Sequence, residues 1–181
     1  SMAYAMSVLR SGQENAMLAT GSDENSDIMT ELFGKLGVTS EKVVAPFAGN
    51  DGFVLSDGSA SVLIEDEKAA KERGARIYCH ASGYGMAHSS VKFGTLTGSE
   101  AGLTNAVNNA LADAGMTIDD IDAVFGFANG MKAVDDVEIK GLTAVFGDKL
   151  AEKPVVELKE VLGESRAAAA TTAAAHAALM F

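Results

Sequence analysis

Short apolar runs alternate with helical segments along this chain of 181 residues, and glycines close most of the segments. The run 16–19 ends at Gly21, and its length and glycine boundary predict a buried strand. Further strands are predicted at 53–55, 60–64, 77–84, 123–127 and 154–158, and helices at 3–11, 26–36, 65–73, 99–114, 135–146 and 166–180. Strands that alternate with helices in this way indicate an α/β fold with a mixed sheet packed between helices.

Small side chains mark the last predicted helix, which has alanine runs at 167–170 and 173–175. Alanine allows close approach of neighbouring elements, so we expect this helix to be buried between layers and His176 to be packed there with a hydrogen-bond partner. Cys79 lies in the predicted strand 77–84, where a free cysteine usually packs as a small apolar residue.

The net charge of −11 disfavours nucleic acid and anionic membrane surfaces as partners, because both repel an acidic protein. No apolar run approaches the ~20 residues that a membrane span requires. The single cysteine excludes an intrachain disulfide, and we therefore expect a cytoplasmic protein. The histidines lack the spacing of a metal site, and Gly83 and Gly85 lack the third glycine of a nucleotide fingerprint, so no metal and no cofactor are predicted.

Four segments, in order along the chain, carry a family resemblance. The most specific is DGFVLSDGSA at 51–60, which VLIE at 62–65 and a charged helix follow. The others are AMLATGSD at 16–23, ALADAG and IDDID at 110–115 and 118–122, and VFG at 145–147 with Lys159 and Gly163 beyond it. Together these segments resemble the β-ketoacyl-acyl-carrier-protein synthases, the condensing enzymes of fatty-acid and polyketide synthesis.

The resemblance implies part of a thiolase-like fold, which consists of two similar halves with mixed sheets between helices. Residues 1–75 would form the end of the amino-terminal half, beginning just after the position of the nucleophilic cysteine. Residues 76–181 would form most of the carboxyl-terminal half. A partial fold of this kind is expected to leave unpaired strand edges and exposed apolar faces.

Condensing enzymes of this family use a nucleophilic cysteine and two histidines that stabilise an enolate oxygen by hydrogen bonding. The position of the first histidine, in an Ala-His-Gly segment, is Asn129 here. The position of the second, five residues after a lysine, is Glu164. An asparagine can donate a hydrogen bond, whereas an ionised Glu164 would repel an enolate. Cys79 does not match the nucleophile.

Two polar positions of the family motif persist, and they are the catalytic candidates that the resemblance implies. Lys159 matches the family lysine, and Glu138 matches the acidic residue that pairs with it. We expect an ion pair between them, which would either shape the former active-site cavity or serve as an architectural salt bridge.

The segment DAVFGFA at 122–128, followed by Asp135 and Glu138, resembles the chain-length-factor branch of the family, which lacks the catalytic residues. This predicts a non-catalytic subunit that forms a dimer with an active ketosynthase and helps to bound the cavity in which an acyl chain from acyl carrier protein grows. One alternative is an active 3-oxoacyl-ACP synthase, an acyltransferase whose cysteine lies outside this chain. Another is a decayed half-fold that serves as an assembly scaffold.

Overall fold

The computed structural model describes residues 1–42, 44–49, 52–91 and 98–180, so Asp51 of the DGFVLSDGSA motif lies outside the described residues. The α-helices and strands in chain order are α1 (Met2–Arg10), β1 (Ala16–Asp23), α2 (Asp27–Lys35), β2 (Gly58–Glu65), α3 (Glu67–Glu72), α4 (Glu100–Ala114), β3 (Val124–Phe125), α5 (Lys132–Phe146), β4 (Val155–Val156), α6 (Lys159–Leu162) and α7 (Ala169–Met180). Short 3₁₀ turns lie at Ile118–Asp120, Gly147–Glu152 and Arg166–Ala168.

The chain divides into two compact units. The β1–β2 unit consists of Ser1–Glu24, Asp57–Ser82 and Ser165–Phe181. The β3–β4 unit consists of Asn25–Ser56 and Gly83–Glu164. Each unit therefore contains segments that are distant in sequence.

In the β1–β2 unit, β1 and β2 pair antiparallel, and α1 and α7 pack on this sheet. Side chains alternate between the two faces of a strand, and Ala19 and Gly21 are buried on the helix-covered side. On the other side Leu18 and Leu63 face each other across the strands and are 65% and 52% exposed. Thr20 and Ser61 lie beside this pair on the same side, so the exposed face is part apolar and part polar.

Gly21 sits where α7 and its preceding turn approach β1 most closely. A Cβ atom there would clash with the carbonyl oxygen of Ala167 and lie 2.7 Å from Oγ1 of Thr171. We expect Gly21→Ala to lower the free energy of unfolding by about 1–3 kcal/mol because the helix must shift. Chemical denaturation measures this loss. The matched control is Gly34→Ala in α2, which meets nothing within 4 Å and should stabilise the chain by about 0.5–1 kcal/mol; equal effects of the two substitutions would contradict the prediction.

The single helix predicted for 166–180 is wrong at its start. Arg166 has φ +46° and begins a 3₁₀ turn, and its guanidinium binds the Asp23 carboxylate at 2.7 and 3.0 Å. This ion pair holds the backbone outside the helical region, so α7 begins at Ala169. Thr171 is buried, but the expectation that His176 is packed is wrong, because His176 is exposed. The hydrogen-bond partner expected for His176 is present and is the carbonyl of Thr172.

In the β3–β4 unit, β3 and β4 pair parallel, with α5 as the crossover helix between them. The Val124 N–H donates to Pro154 and the Gly126 N–H donates to Val156. The helix predicted at 99–114 is present as α4, and Ser99 caps it by accepting from the Gly102 N–H at 3.0 Å. Buried apolar side chains of this unit include Val38, Val44, Phe53, Leu142 and Phe146.

The strand predicted at 77–84 is absent from the structure, where residues 75–91 have no regular secondary structure. A strand requires a backbone partner, and no described strand pairs with this segment. The expectation that Cys79 is buried fails for the same reason, because Cys79 is exposed. The predicted strand at 53–55 is reduced to isolated parallel bridges at Phe53 and Leu55.

Within the described part of the chain, none of the helices is both long enough and apolar enough to cross a membrane.

Candidate functional site

The turn between β3 and α5, residues 127–131, carries Asn129, which the sequence resemblance predicts to stand at the first histidine position. Two carboxylates of the first turns of α5 hold this turn by accepting its backbone N–H groups. Because the helix fixes both carboxylates, the backbone conformation around Asn129 is set by α5. The site lies wholly within the β3–β4 unit.

Asp135 is 3% exposed and accepts backbone hydrogen bonds from two segments of the unit. Its Oδ1 accepts from the N–H groups of Asn129 at 3.1 Å and Gly130 at 3.3 Å. Its Oδ2 accepts from the N–H of Phe47 at 2.9 Å. Sequence reasoning noted Asp135 without a role, although its place in the first turn of a helix was a signal for N–H binding.

Glu138 lies one turn further along α5 and is 8% exposed. Its carboxylate accepts from the N–H of Phe127 at 2.6 Å and from that of Ala128 at 2.5 Å. Burial raises the pKa of Glu138 above its ordinary value, and these two hydrogen bonds and the charge of Lys159 oppose that rise.

Lys159 forms its ion pair with Glu164, and this corrects the pairing expected from the sequence. The Nζ–Oε2 distance is 2.8 Å, and the two side chains are only 9% and 5% exposed. Lys159 Nζ also donates to the carbonyl of Phe127 at 2.7 Å and lies 3.3 Å from the centre of its ring. Glu138 attracts the lysine from nearby, but the oxygens of Glu138 are bound to backbone N–H groups.

Asn129 and Glu164, the two residues that the resemblance predicts at the histidine positions, are brought together by the fold. Asn129 Nδ2 donates to Glu164 Oε2 at 3.2 Å, and Asn129 Oδ1 accepts from the N–H of Met131 at 3.1 Å. Both residues are buried. The donor that could have met an enolate oxygen is therefore directed at a carboxylate, and that carboxylate is paired with Lys159.

Glu157 was missed by the sequence analysis, although an acidic residue within the apolar run 154–158 was a signal. It follows β4 directly, and both of its carboxylate oxygens are buried without a hydrogen-bond partner among the described residues. Burial and repulsion from Glu138 and Asp135 raise its pKa to about 8, against the attraction of Lys159.

A cavity of about 410 Å³ lies between α4 and α5, next to this cluster. Its walls include the apolar side chains of Leu103, Val134 and Val137 and, at one side, Phe127 and Glu138. No group of three or more histidine, cysteine or acidic side chains suited to a metal ion occurs within the described ranges.

Comparison with protein families matches two profiles to this chain. Residues 1–70 match the beta-ketoacyl synthase N-terminal domain, and residues 78–181 match the beta-ketoacyl synthase C-terminal domain. Among curated proteins, 3-oxoacyl-[acyl-carrier-protein] synthase 2 of Coxiella burnetii is 32% identical over 130 residues, which cover 71% of this chain and 31% of the relative. Nodulation protein E of Rhizobium meliloti is 31% identical over 149 residues, 81% of this chain and 37% of the relative.

Solved structures agree with these matches. The ishigamide ketosynthase/chain length factor superposes with a TM-score of 0.91 at 31% identity, over 99% of this chain and 44% of that one. A type II PKS acyl-carrier protein in complex with its ketosynthase gives a TM-score of 0.92 at 24% identity, over 98% of this chain and 46% of the other. The partial thiolase-like fold predicted from the sequence is thereby confirmed. The chain spans less than half the length of each of these relatives.

Proposed function

We propose that this chain, which belongs to the β-ketoacyl synthase family, is part of a non-catalytic ketosynthase-like subunit of fatty-acid or polyketide biosynthesis. In this role it pairs with an active ketosynthase, as a chain length factor does. The pair acts on an acyl chain delivered by acyl carrier protein.

The observation that carries the proposal is the hydrogen bond between Asn129 and Glu164 at the two histidine positions. Decarboxylation of a malonyl unit requires donors aimed at a developing negative charge. Here a carboxylate occupies one of the two positions, and Lys159 and Asn129 both bind it. An anion placed there would face Glu164 across a short distance, so the site disfavours the enolate.

In the same proposal Lys159 and Glu138 organise the site and take no part in a reaction. Glu138 holds the 127–131 turn, and Lys159 joins that turn to Glu164. The nearby cavity is suited to contact with an acyl chain, since most of its wall area is apolar. The family matches at 1–70 and 78–181 support assigning 1–75 and 76–181 to the two thiolase-like halves.

The partner proposal rests on charge and on the likeness to the ketosynthase/chain length factor structure. Acyl carrier proteins are acidic, and this chain has a net charge of −11, so mutual repulsion disfavours direct docking. A more basic ketosynthase partner would receive the carrier protein instead. The exposed leucine pair Leu18 and Leu63 offers apolar area for burial in a larger assembly.

The gene product that contains this chain, co-expressed with its neighbouring ketosynthase, is expected to form a one-to-one complex by native mass spectrometry. Labelled malonyl-acyl-carrier protein should then place acyl label on the ketosynthase alone. The reason is that Asn129 and Glu164 are hydrogen-bonded to each other and do not present donors to a substrate. Intact-mass measurement of each separated subunit gives the distribution of label.

Cys79 provides the matched control, since it is exposed and is the single thiol of this chain. A Cys79→Ala variant removes adventitious transfer to that thiol, and a ketosynthase without its nucleophile should abolish all label. Label that persists on the Cys79→Ala subunit would favour an active acyltransferase. A stable, well-folded product that binds neither ketosynthase nor label would favour the scaffold hypothesis.

A further inference from the structure

The carboxylate oxygens of Glu157 are buried in the site, and the proposed function does not use them. Its carboxylate lies against the backbone of Gly126: a Cβ atom added at Gly126 would clash with Oε1 and lie 2.9 Å from Cδ. Gly126 in turn donates its N–H to the carbonyl of Val156, at 3.1 Å. The acid is thus packed against the hydrogen bond that ends the β3–β4 ladder.

Most of the charges that face this carboxylate are negative. Glu138 and Asp135 repel it from α5, and Lys159 attracts it from α6. The ammonium group of Lys159 is itself bound to Glu164 and to the Phe127 carbonyl. An ionised Glu157 in its present position would therefore be a buried charge without a hydrogen bond, which is among the costliest arrangements in a protein.

We propose that Glu157 is a pH-sensitive element of the fold: in its neutral form it packs against Gly126, and on ionisation it leaves this position and loosens the β3–β4 pair. The 127–131 turn begins at the next residue after Gly126, so the change reaches the N–H groups that Glu138 binds. The inference is independent of the proposed function, since it concerns the chain alone.

The direction of the pH effect follows from proton linkage. Burial raises the pKa of Glu157 from 4.5 to about 8, so the folded chain holds a proton that the unfolded chain has released between these values. The stabilisation by neutral Glu157 is complete below about pH 4.5 and is lost as the pH rises through about 8. Glu138, whose pKa is also raised, contributes in the same direction.

Amide hydrogen exchange of Gly126 between pH 6 and 9, corrected for intrinsic exchange, tests the proposal on the full 181-residue chain. Protection of this N–H should fall with rising pH by up to about tenfold per pH unit, the limit for one proton. In Glu157→Gln, which has the shape of the neutral acid, the fall should be clearly smaller. The control Glu160→Gln changes an exposed glutamate three residues away and should behave as the native chain does.

A second measurement does not depend on whether the variant folds. Carbon-13 NMR of the glutamate carboxyl groups in the native chain should show one that titrates with a midpoint near pH 8. Glu157→Gln, where it folds, identifies this signal by its loss. The proposal is overturned if all glutamate carboxyls titrate in the ordinary acidic range, or if Glu157→Gln retains the full pH dependence of Gly126 protection.

Discussion

Glu164→Leu is expected to lower the free energy of unfolding by about 3–5 kcal/mol, because it leaves the ammonium group of Lys159 buried without its counter-ion. The lysine side chain is only 9% exposed. Asn129 Nδ2 loses its acceptor in the same variant. Urea denaturation at neutral pH measures the loss.

The double variant Lys159→Met, Glu164→Leu separates the buried charge from the lost side-chain volume. Two apolar residues of similar size should recover most of the stability, since the desolvation of both ions no longer opposes folding. The matched control is Glu31→Leu, which breaks the exposed pair of Glu31 and Lys35 and should cost at most about 0.5 kcal/mol. A small effect of Glu164→Leu, comparable with this control, would mean that the buried pair does not form.

Asp135→Ala is expected to cost about 3–6 kcal/mol, because three backbone N–H groups lose their acceptor together. The Asp135 carboxylate accepts from the N–H groups of Asn129, Gly130 and Phe47. A buried donor left without an acceptor lowers the free energy of unfolding by about 1–3 kcal/mol. The loss is comparable with the whole stability of a small domain. We therefore expect a much lower midpoint of thermal or urea unfolding.

Asp135→Asn refines this prediction. An amide oxygen at the Oδ1 position would still accept from Asn129 and Gly130, but the amide nitrogen would face the Phe47 N–H donor to donor. The cost should lie between that of Asp135→Ala and zero. Asp136→Ala, at the adjacent exposed position paired with Lys132, should change stability by at most about 0.5 kcal/mol. Equal losses at 135 and 136 would contradict the role assigned to Asp135.

The helices predicted at 26–36 and 99–114 are present as α2 and α4, because residues within each helix determine where it begins and ends. Ser26 and Ser99 cap their helices, and Gly115 ends α4 with φ +65°. The prediction of a strand at 77–84 was wrong because a strand needs a pairing partner, and a local sequence pattern does not show whether one is present. The predicted start of α7 was wrong because Arg166 binds Asp23, a residue far away in sequence that a local pattern does not include.

At the site, the resemblance identified the positions of Asn129 and Glu164 but not their partners. Lys159 pairs with Glu164 and not with Glu138 because of where the fold places the three side chains. The fold likewise places Glu138 against backbone N–H groups. Spacing on a helix places residues on one face, but it does not determine which of several acids a lysine meets. The sequence did not identify Glu157 because its raised pKa results from burial, and a short apolar run does not determine how deeply a residue is buried.

The β1–β2 unit has a consequence for synthesis of the chain, because its three segments are separated by long stretches of sequence. The sheet cannot be covered by α7 until Ala169 has been made, about 146 residues after the end of β1 at Asp23. At about 5–20 residues per second, a ribosome takes about 7–30 s over that interval. During this time α1 can cover the sheet but α7 cannot, so part of the helix-facing side stays exposed in the nascent chain, a state that favours aggregation.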